Sequence, residues 1–386
     1  MQMIFGYNEE DLKEKKAIFT AEEIAQQPAV WEKTIEQVKG IQTTLSRLIE
    51  DVTSDGDFDV ILTGAGTSEY VGRALYPALL QKLQGRVHAI GTTEIVASPE
   101  LFISPERKTL LVSFARSGNS PESVGAVKAA DRISEKVKHL FITCNEEGAL
   151  AKIADEKDNC FSIVLAPETN DRSFAMTSSF TSMYIAALLA LTGDFNIDLY
   201  ETISSGEKFL TKGYRPLAEF VGRNDFSRVV YLGSDVLKGI AQEAALKVLE
   251  LTAGRMAAIF DTPMGFRHGP KSIVDDETVC VVFLSDDEWT RKYEMDVLKE
   301  LYRDRKGSKL IAVTATEDEE VSSFCDLMIP MGYRNKVVNA QLAPAYIMVA
   351  QTMAMLYSMK LEITPDNPCP TGEVNRVVQG VTIYEE

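Results

Sequence analysis

The sequence predicts an α/β fold: two tandem doubly wound parallel-sheet domains of flavodoxin-like type, preceded by a helical N-terminal arm. Two observations predict it. Short apolar runs of strand length alternate with amphipathic stretches along most of the 386 residues, which is how strands joined by crossover helices read. Landmarks of the first half also return in the second at a near-constant distance. Gly64 and Gly233 are 169 residues apart, and Val112 with Val282 and Ile142 with Ala312 are each 170 apart. Three such matches in register indicate a duplicated domain.

In chain order, Phe58-Asp-Val-Ile-Leu-Thr leads to a helical stretch from Ser68 to Leu83. Thr109-Leu-Leu-Val-Ser-Phe is followed by a helix from Ser120, and His139-Leu-Phe-Ile-Thr by one from Ala149. Phe161-Ser-Ile-Val-Leu is a fourth strand, before a long apolar helix over Ser178–Leu191. The second half repeats the order: Val229-Val-Tyr-Leu-Gly and a helix from Val236 to Leu251, Thr278-Val-Cys-Val-Val-Phe-Leu and a helix from Glu288, then Lys309-Leu-Ile-Ala-Val-Thr. The expected domains are residues 50–195 and 215–360, with an arm over 1–49 and a tail over 361–386 that contributes to the active site.

Apolar content of 45% and charged content of 25% are ordinary for a soluble globular protein. A net charge of −17 argues against nucleic acid and anionic membranes as partners. A phosphate-bearing small molecule stays open, but its site has to be made of oriented amides and hydroxyls rather than a basic patch. The cysteines (Cys144, Cys160, Cys280, Cys325, Cys369) are odd in number and form no C-x-x-C, so they read as reduced core thiols rather than disulfides or a zinc site. Met1–Glu14 lacks a signal-peptide pattern, and the apolar segments fall short of a membrane span. The expectation is a soluble, cytoplasmic protein with neither metal nor cofactor.

Ligands of doubly wound sheets sit at the carboxyl ends of the strands. The first loop there, Gly64-Ala-Gly66-Thr67-Ser68, opens like a dinucleotide fingerprint but has Glu69 where the third glycine belongs. The second is Ala115-Arg116-Ser117-Gly118-Asn119-Ser120-Pro121-Glu122. Ser120 is a predicted N-cap and Pro121 a first-turn residue, so free N–H groups and the helix dipole favour an anion there. The alternative is an ordinary capping box with no ligand. Thr177-Ser-Ser-Phe-Thr181 is a third hydroxyl cluster, equally readable as a helix start.

Glu243, Lys247 and Glu250 are spaced i, i+4, i+7 and share one helix face. A surface ladder of ion pairs is the bland reading. His268 lies in the rigid loop Phe260-Asp-Thr-Pro-Met-Gly-Phe-Arg-His-Gly-Pro270 and suits proton transfer near neutral pH, against a structural hydrogen bond. His88 and His139 border strands and have no visible company in the sequence.

These segments resemble the sugar isomerase (SIS) domain family. Those that carry the likeness are Gly64-Ala-Gly-Thr-Ser-Glu-Tyr70, Ser113-Phe-Ala-Arg-Ser-Gly-Asn-Ser-Pro-Glu122, Phe174-Ala-Met-Thr-Ser-Ser-Phe-Thr181 and Gly265-Phe-Arg-His-Gly-Pro-Lys271. The AgaS group of galactosamine-6-phosphate deaminase/isomerases, also named tagatose-6-phosphate ketose/aldose isomerases, is the nearest likeness. The isomerase half of glucosamine-6-phosphate synthase is a looser one. The resemblance implies phosphate binding by Gly66, Thr67, Ser68, Arg116, Ser117, Asn119, Ser120 and Thr177, and catalysis by Glu250, Lys247 and His268. It further implies a homodimer or higher homo-oligomer in which His268 reaches in from the partner subunit. Gln379 falls where the synthase has a lysine, and no glutaminase half is present, which favours running the amine chemistry outward.

On that resemblance, His268 opens the ring of galactosamine-6-phosphate and Glu250 moves the C2 proton to C1. Lys247 supports the charge, and water then displaces ammonia from a C2 imine. The rivals are an aldose–ketose isomerase acting on a sugar phosphate without an amine, and a sugar-phosphate sensor without catalysis.

Overall fold

The computed structural model describes residues 3–378 and 380–384, and it contains two five-stranded parallel sheets. Helices α1 (Glu9–Glu14), α2 (Ile18–Ala25), α3 (Gln27–Gly40) and α4 (Gln42–Thr53) come first. The first sheet follows as β1 (Phe58–Thr63), α5 (Thr67–Leu79), β2 (Val87–Ala89), α6 (Thr92–Ala97), β3 (Lys108–Ala115), α7 (Pro121–Ile133), β4 (Val137–Thr143), α8 (Ala149–Glu156), β5 (Cys160–Val164) and α9 (Ser178–Thr192). After α10 (Tyr200–Lys208) and α11 (Tyr214–Arg223) come β6 (Arg228–Leu232), α12 (Val236–Leu251), β7 (Ala257–Asp261), α13 (Pro263–Phe266), β8 (Thr278–Phe283), α14 (Glu288–Asp304), β9 (Lys309–Thr314), α15 (Glu319–Ser322), β10 (Leu327–Pro330) and α16 (Asn339–Lys360).

The strand orders are β2-β1-β3-β4-β5 and β7-β6-β8-β9-β10, and all pairs are parallel. Both sheets therefore have one topology, 2-1-3-4-5, the flavodoxin-like winding expected of a duplicated domain. The central strands β1 and β8 are buried at every residue, as sheets covered on both faces require. The strands β2, β7 and β10 were not foreseen, and β7 corrects the reading of Phe260 and Asp261 as loop. Each of these is a partly exposed edge strand. An edge covered on fewer sides needs no continuous apolar run, so the pattern used to find strands passes over it.

Contacts divide the chain into two compact units. One holds the first sheet (Ala29–Asp171, Ser178–Ile197, Gly372–Glu386), and the other holds the second (Met1–Pro28, Arg172–Thr177, Asp198–Thr371). In the first-sheet unit Trp31 is fully buried and its indole N–H donates to Thr181 Oγ1 at 2.8 Å. The two histidines of that unit do have partners. His139, fully buried, lies 2.8 Å from Asp131, and His88 lies 3.5 Å from Asp59. Asp131 lies on α7, directly before the strand of His139, and Asp59 lies on β1, which pairs with the strand of His88.

The second-sheet unit is built around α16, buried at every residue from Leu342 to Met359. This helix corrects the expectation that no segment is long enough to span a membrane: its 22 residues pass by length and hydropathy, yet the whole apolar window is buried. A helix apolar all round is what a domain centre requires. The five cysteines are free; Cys144 and Cys280 are buried, whereas Cys160, Cys325 and Cys369 are only partly so. Burial pushes Cys144 and Cys280 up to about 12 and Cys160 and Cys325 up to about 11.

Candidate functional site

The hydroxyl-rich loops stand at the carboxyl ends of the neighbouring strands β1 and β3. A Cβ on Gly64 would lie 2.5 Å from the Ser68 carbonyl carbon, so only glycine allows the turn into α5. Gly66 follows at φ 58° and ψ −128°, a conformation for glycine, and it caps α5. Thr67 and Ser68 then begin α5, both buried. The Ser68 N–H donates to the Ala65 carbonyl at 3.2 Å in the first turn of α5, whose dipole favours an anion at this end.

In the loop after β3, Ser120 is the N-cap of α7 and Pro121 its first residue, as the sequence indicates. The cap is completed by Ser123, whose N–H donates to Ser120 Oγ and whose hydroxyl lies 2.6 Å from it, so no glutamate capping box forms. Gly118 has φ 68° and packs against Gly148 and Thr143. Ser117 is half-buried, and its carbonyl accepts from Asn145 Nδ2 at 2.9 Å. Asn119 Oδ1 accepts the Ala149 N–H at 2.9 Å, so the first turn of α8 uses that oxygen. Thr177 is fully buried and falls in the second-sheet unit.

Arg116 was named in the sequence reading, but its partner Arg376 and the cap formed by Asp171 escaped it. Arg116, 6% exposed, donates to the carbonyl of Arg376 at 3.0 Å. Arg376 in turn donates through Nε to the Asp171 carbonyl at 3.1 Å and through its other nitrogen to Asn170 Oδ1 at 3.1 Å. The buried Asp171 carboxylate accepts the N–H groups of Ser178 and Ser179 and so caps α9. These contacts tie the C-terminal segment to the first-sheet unit, through Arg376. Gln379 lies outside the described residues.

The second-sheet unit carries the titratable triad. Glu243 and Lys247 are fully buried on α12, and Lys247 Nζ lies 3.3 Å from Glu243 and closer still to Glu250, whose side chain is 23% exposed. The surface-ladder reading is thus overturned: α12 turns this polar face inward, and it packs on α16 and β7. Burial disfavours the ammonium, but the two carboxylates outweigh it and hold the Lys247 pKa above its ordinary value. A lysine kept protonated can stabilise negative charge, but it is poorly suited to form an imine, which needs the neutral amine. Glu250 is the member of the triad that reaches solvent.

His268 is exposed, just past α13. Thr262 caps α13 by accepting the Gly265 N–H at 3.0 Å, and Gly269 at φ 121° turns the chain out of the loop.

The second copy keeps the shape of the phosphate-type turn without its chemistry. Asp235 stands where Gly66 does, with φ 56° and ψ −129°, a conformation that costs a non-glycine residue about 1–3 kcal/mol. Its carboxylate accepts from Asn339 at 3.3 Å. Asp286 accepts the Val337 N–H, and Asp287 caps α14. A turn lined by carboxylates is a poor match for a phosphate.

Glu294, fully buried beside that turn, accepts the Ser285 N–H at 2.7 Å, and burial pushes its pKa up to about 7. The unfolded chain releases this proton near pH 4.5 while the folded one keeps it to about pH 7, so stability falls across that window and is level above it. The expected loss is about 3 kcal/mol. Glu294→Gln should remove it: unfolding midpoints in urea at pH 5 and pH 8 should draw closer together in the variant. Equal pH dependence in both proteins would show that Glu294 ionises normally.

Comparison with known proteins gives one family. The chain matches the SIS domain over residues 58–193 and 224–359. It is 42% identical over 378 residues to the D-galactosamine-6-phosphate deaminase AgaS of Shewanella sp. (strain ANA-3), covering 97% of this chain and 94% of that one. The crystal structure of a Clostridium novyi NT protein matches with a TM-score of 0.97 at 42% identity over 100% of both chains. That of the tagatose-6-phosphate ketose/aldose isomerase from Escherichia coli matches with a TM-score of 0.87 at 39% identity, over 95% of this chain and 96% of that one. The chain belongs to the SIS domain family, within its AgaS group.

Proposed function

We propose that this protein is an amino-sugar-phosphate deaminase/isomerase, converting galactosamine-6-phosphate and water into tagatose-6-phosphate and ammonia. The observation that carries the reading is the buried Glu243–Lys247–Glu250 triad: a cation enclosed by two carboxylates, one of which reaches solvent. The name of the Shewanella relative supports it.

In this reading the phosphate is bound by Thr67, Ser68, Ser117 and Ser120 with the amides of α5 and α7, and Arg116 adds charge. His268 protonates the ring oxygen and opens the pyranose to the aldehyde. Glu250 takes the C2 proton, giving an enolamine whose developing charge Lys247 stabilises, and returns the proton to C1. The product is a C2 imine; water adds there and ammonia leaves. The exposure of His268 supports its serving a second copy of the chain in a homodimer or larger assembly. Five free cysteines suit a reducing, cytoplasmic setting.

The second reading, an aldose–ketose isomerase acting on sugar phosphates without an amine, draws on the name of the E. coli structure. A coupled assay for free ammonia separates the two. Galactosamine-6-phosphate should release ammonia in step with ketose formation. Interconversion of unaminated sugar phosphates with no ammonia would install the isomerase. Thermal stabilisation by the same sugar phosphates without turnover would leave a sensor.

A further inference from the structure

We propose that Glu300 is a positioning residue for His268: one carboxylate that fixes both flanks of the turn carrying the histidine. The proposal rests on the reading of His268 as the ring-opening acid. Glu300 lies on α14, and its two oxygens engage two different cations. Oε2 is 2.7 Å from Arg267 Nε, and Oε1 is 2.6 Å from Lys271 Nζ. Those cations stand on either side of His268, four residues apart along the chain. Asp296 and Asp304, one helical turn before and after Glu300, each take one of the same cations at 2.8 Å. Carboxylates at i, i+4 and i+8 therefore form a stripe along α14, and only its central member bridges both sides of the turn.

The remaining contacts explain why such a brace is needed. Phe266, fully buried, anchors one end of the turn in the apolar core with Val297, Leu298 and Leu301 of α14. From there the chain leaves the core: His268, Gly269 and Pro270 are exposed, and Gly269 is in the left-handed region. Among the described residues no hydrogen bond or ion pair reaches the imidazole, so its place is set by the backbone, and the backbone by its flanks. Glu300 is the more enclosed of the three carboxylates, with 21% of its side chain exposed against 66% for Asp296 and 38% for Asp304. A partly desolvated pair holds its geometry better than an exposed one. Small displacements of a catalytic group can cost up to about a hundredfold in rate.

The test combines hydrogen–deuterium exchange with a double-mutant cycle on the intact chain. Glu300→Gln should speed exchange in peptides spanning 263–275 and lower kcat about ten- to a hundredfold, with KM for the sugar phosphate within about twofold. Asp296→Asn and Asp304→Asn should do neither, because a bridging pair remains. His268→Gln should lose kcat with exchange unchanged, and adding Glu300→Gln to it should cost little more, since the glutamate acts through the histidine. Glu300→Asp, which keeps the charge but shortens the reach, should fall between wild type and Glu300→Gln, and it stands in if the latter fails to fold. Unchanged exchange in Glu300→Gln, or the same activity loss with and without His268, overturns the positioning role. Full activity in His268→Gln would instead remove the histidine from the mechanism, while the exchange result still decides whether Glu300 braces the turn.

Discussion

Replacing Glu250 by glutamine is expected to lower kcat about 10²–10⁴-fold while leaving KM nearly unchanged, the range that a positioned general base contributes. Glutamine matches the carboxylate in shape and can still accept from Lys247, so the pocket and the fold should persist. What it lacks is basicity: it cannot hold the proton between C2 and C1. Glu250 is the triad member with access to solvent, whereas Glu243 is fully enclosed. The measurement is ammonia release and ketose formation under saturating galactosamine-6-phosphate, with solvent deuterium incorporation at C1 as a second readout. A Glu250→Gln enzyme working at wild-type speed would take the proton transfer away from this residue.

Lys247→Met is expected to destabilise the second-sheet unit by about 3–5 kcal/mol, because it strands the fully buried Glu243 carboxylate without its cation. Methionine fills the space of the lysine stem, so the loss is electrostatic rather than a cavity. Glu250 can turn to water, but Glu243 cannot. The second change Glu243→Gln should therefore recover much of the loss in the double variant, and a cycle of urea unfolding midpoints checks it. A single variant as stable as wild type would mean that Glu243 takes up a proton at little cost. Activity should be lost in both variants, since the cation opposite the developing charge is gone.

How much of this was legible in the sequence follows the range of each interaction. The cap at Ser120–Pro121 and the shared face of Glu243, Lys247 and Glu250 rest on contacts within a few residues, and helical geometry makes such contacts nearly obligatory. The central strands read clearly because burial on both faces demands continuous apolar runs. The duplication read clearly because both copies keep landmarks at one spacing, and the two sheets share one topology. His268 was singled out by its rigid, glycine- and proline-flanked loop.

Only the tertiary structure decided the rest. It turned the Glu243–Lys247–Glu250 face inward, because periodicity says which residues share a face but not what that face packs against. It brought Arg376 to Asp171, 205 residues away, and gave Asn119 to the first turn of α8. It showed Asp235 holding the backbone shape of Gly66 in the second copy. The sequence by itself determined the fold class, the duplication and the residue types able to do the chemistry, because these follow from local geometry and burial pattern. Which of those residues are enclosed, and therefore which charges are held and which pKa values move, depended on long-range packing, because desolvation is set by what surrounds a side chain in space.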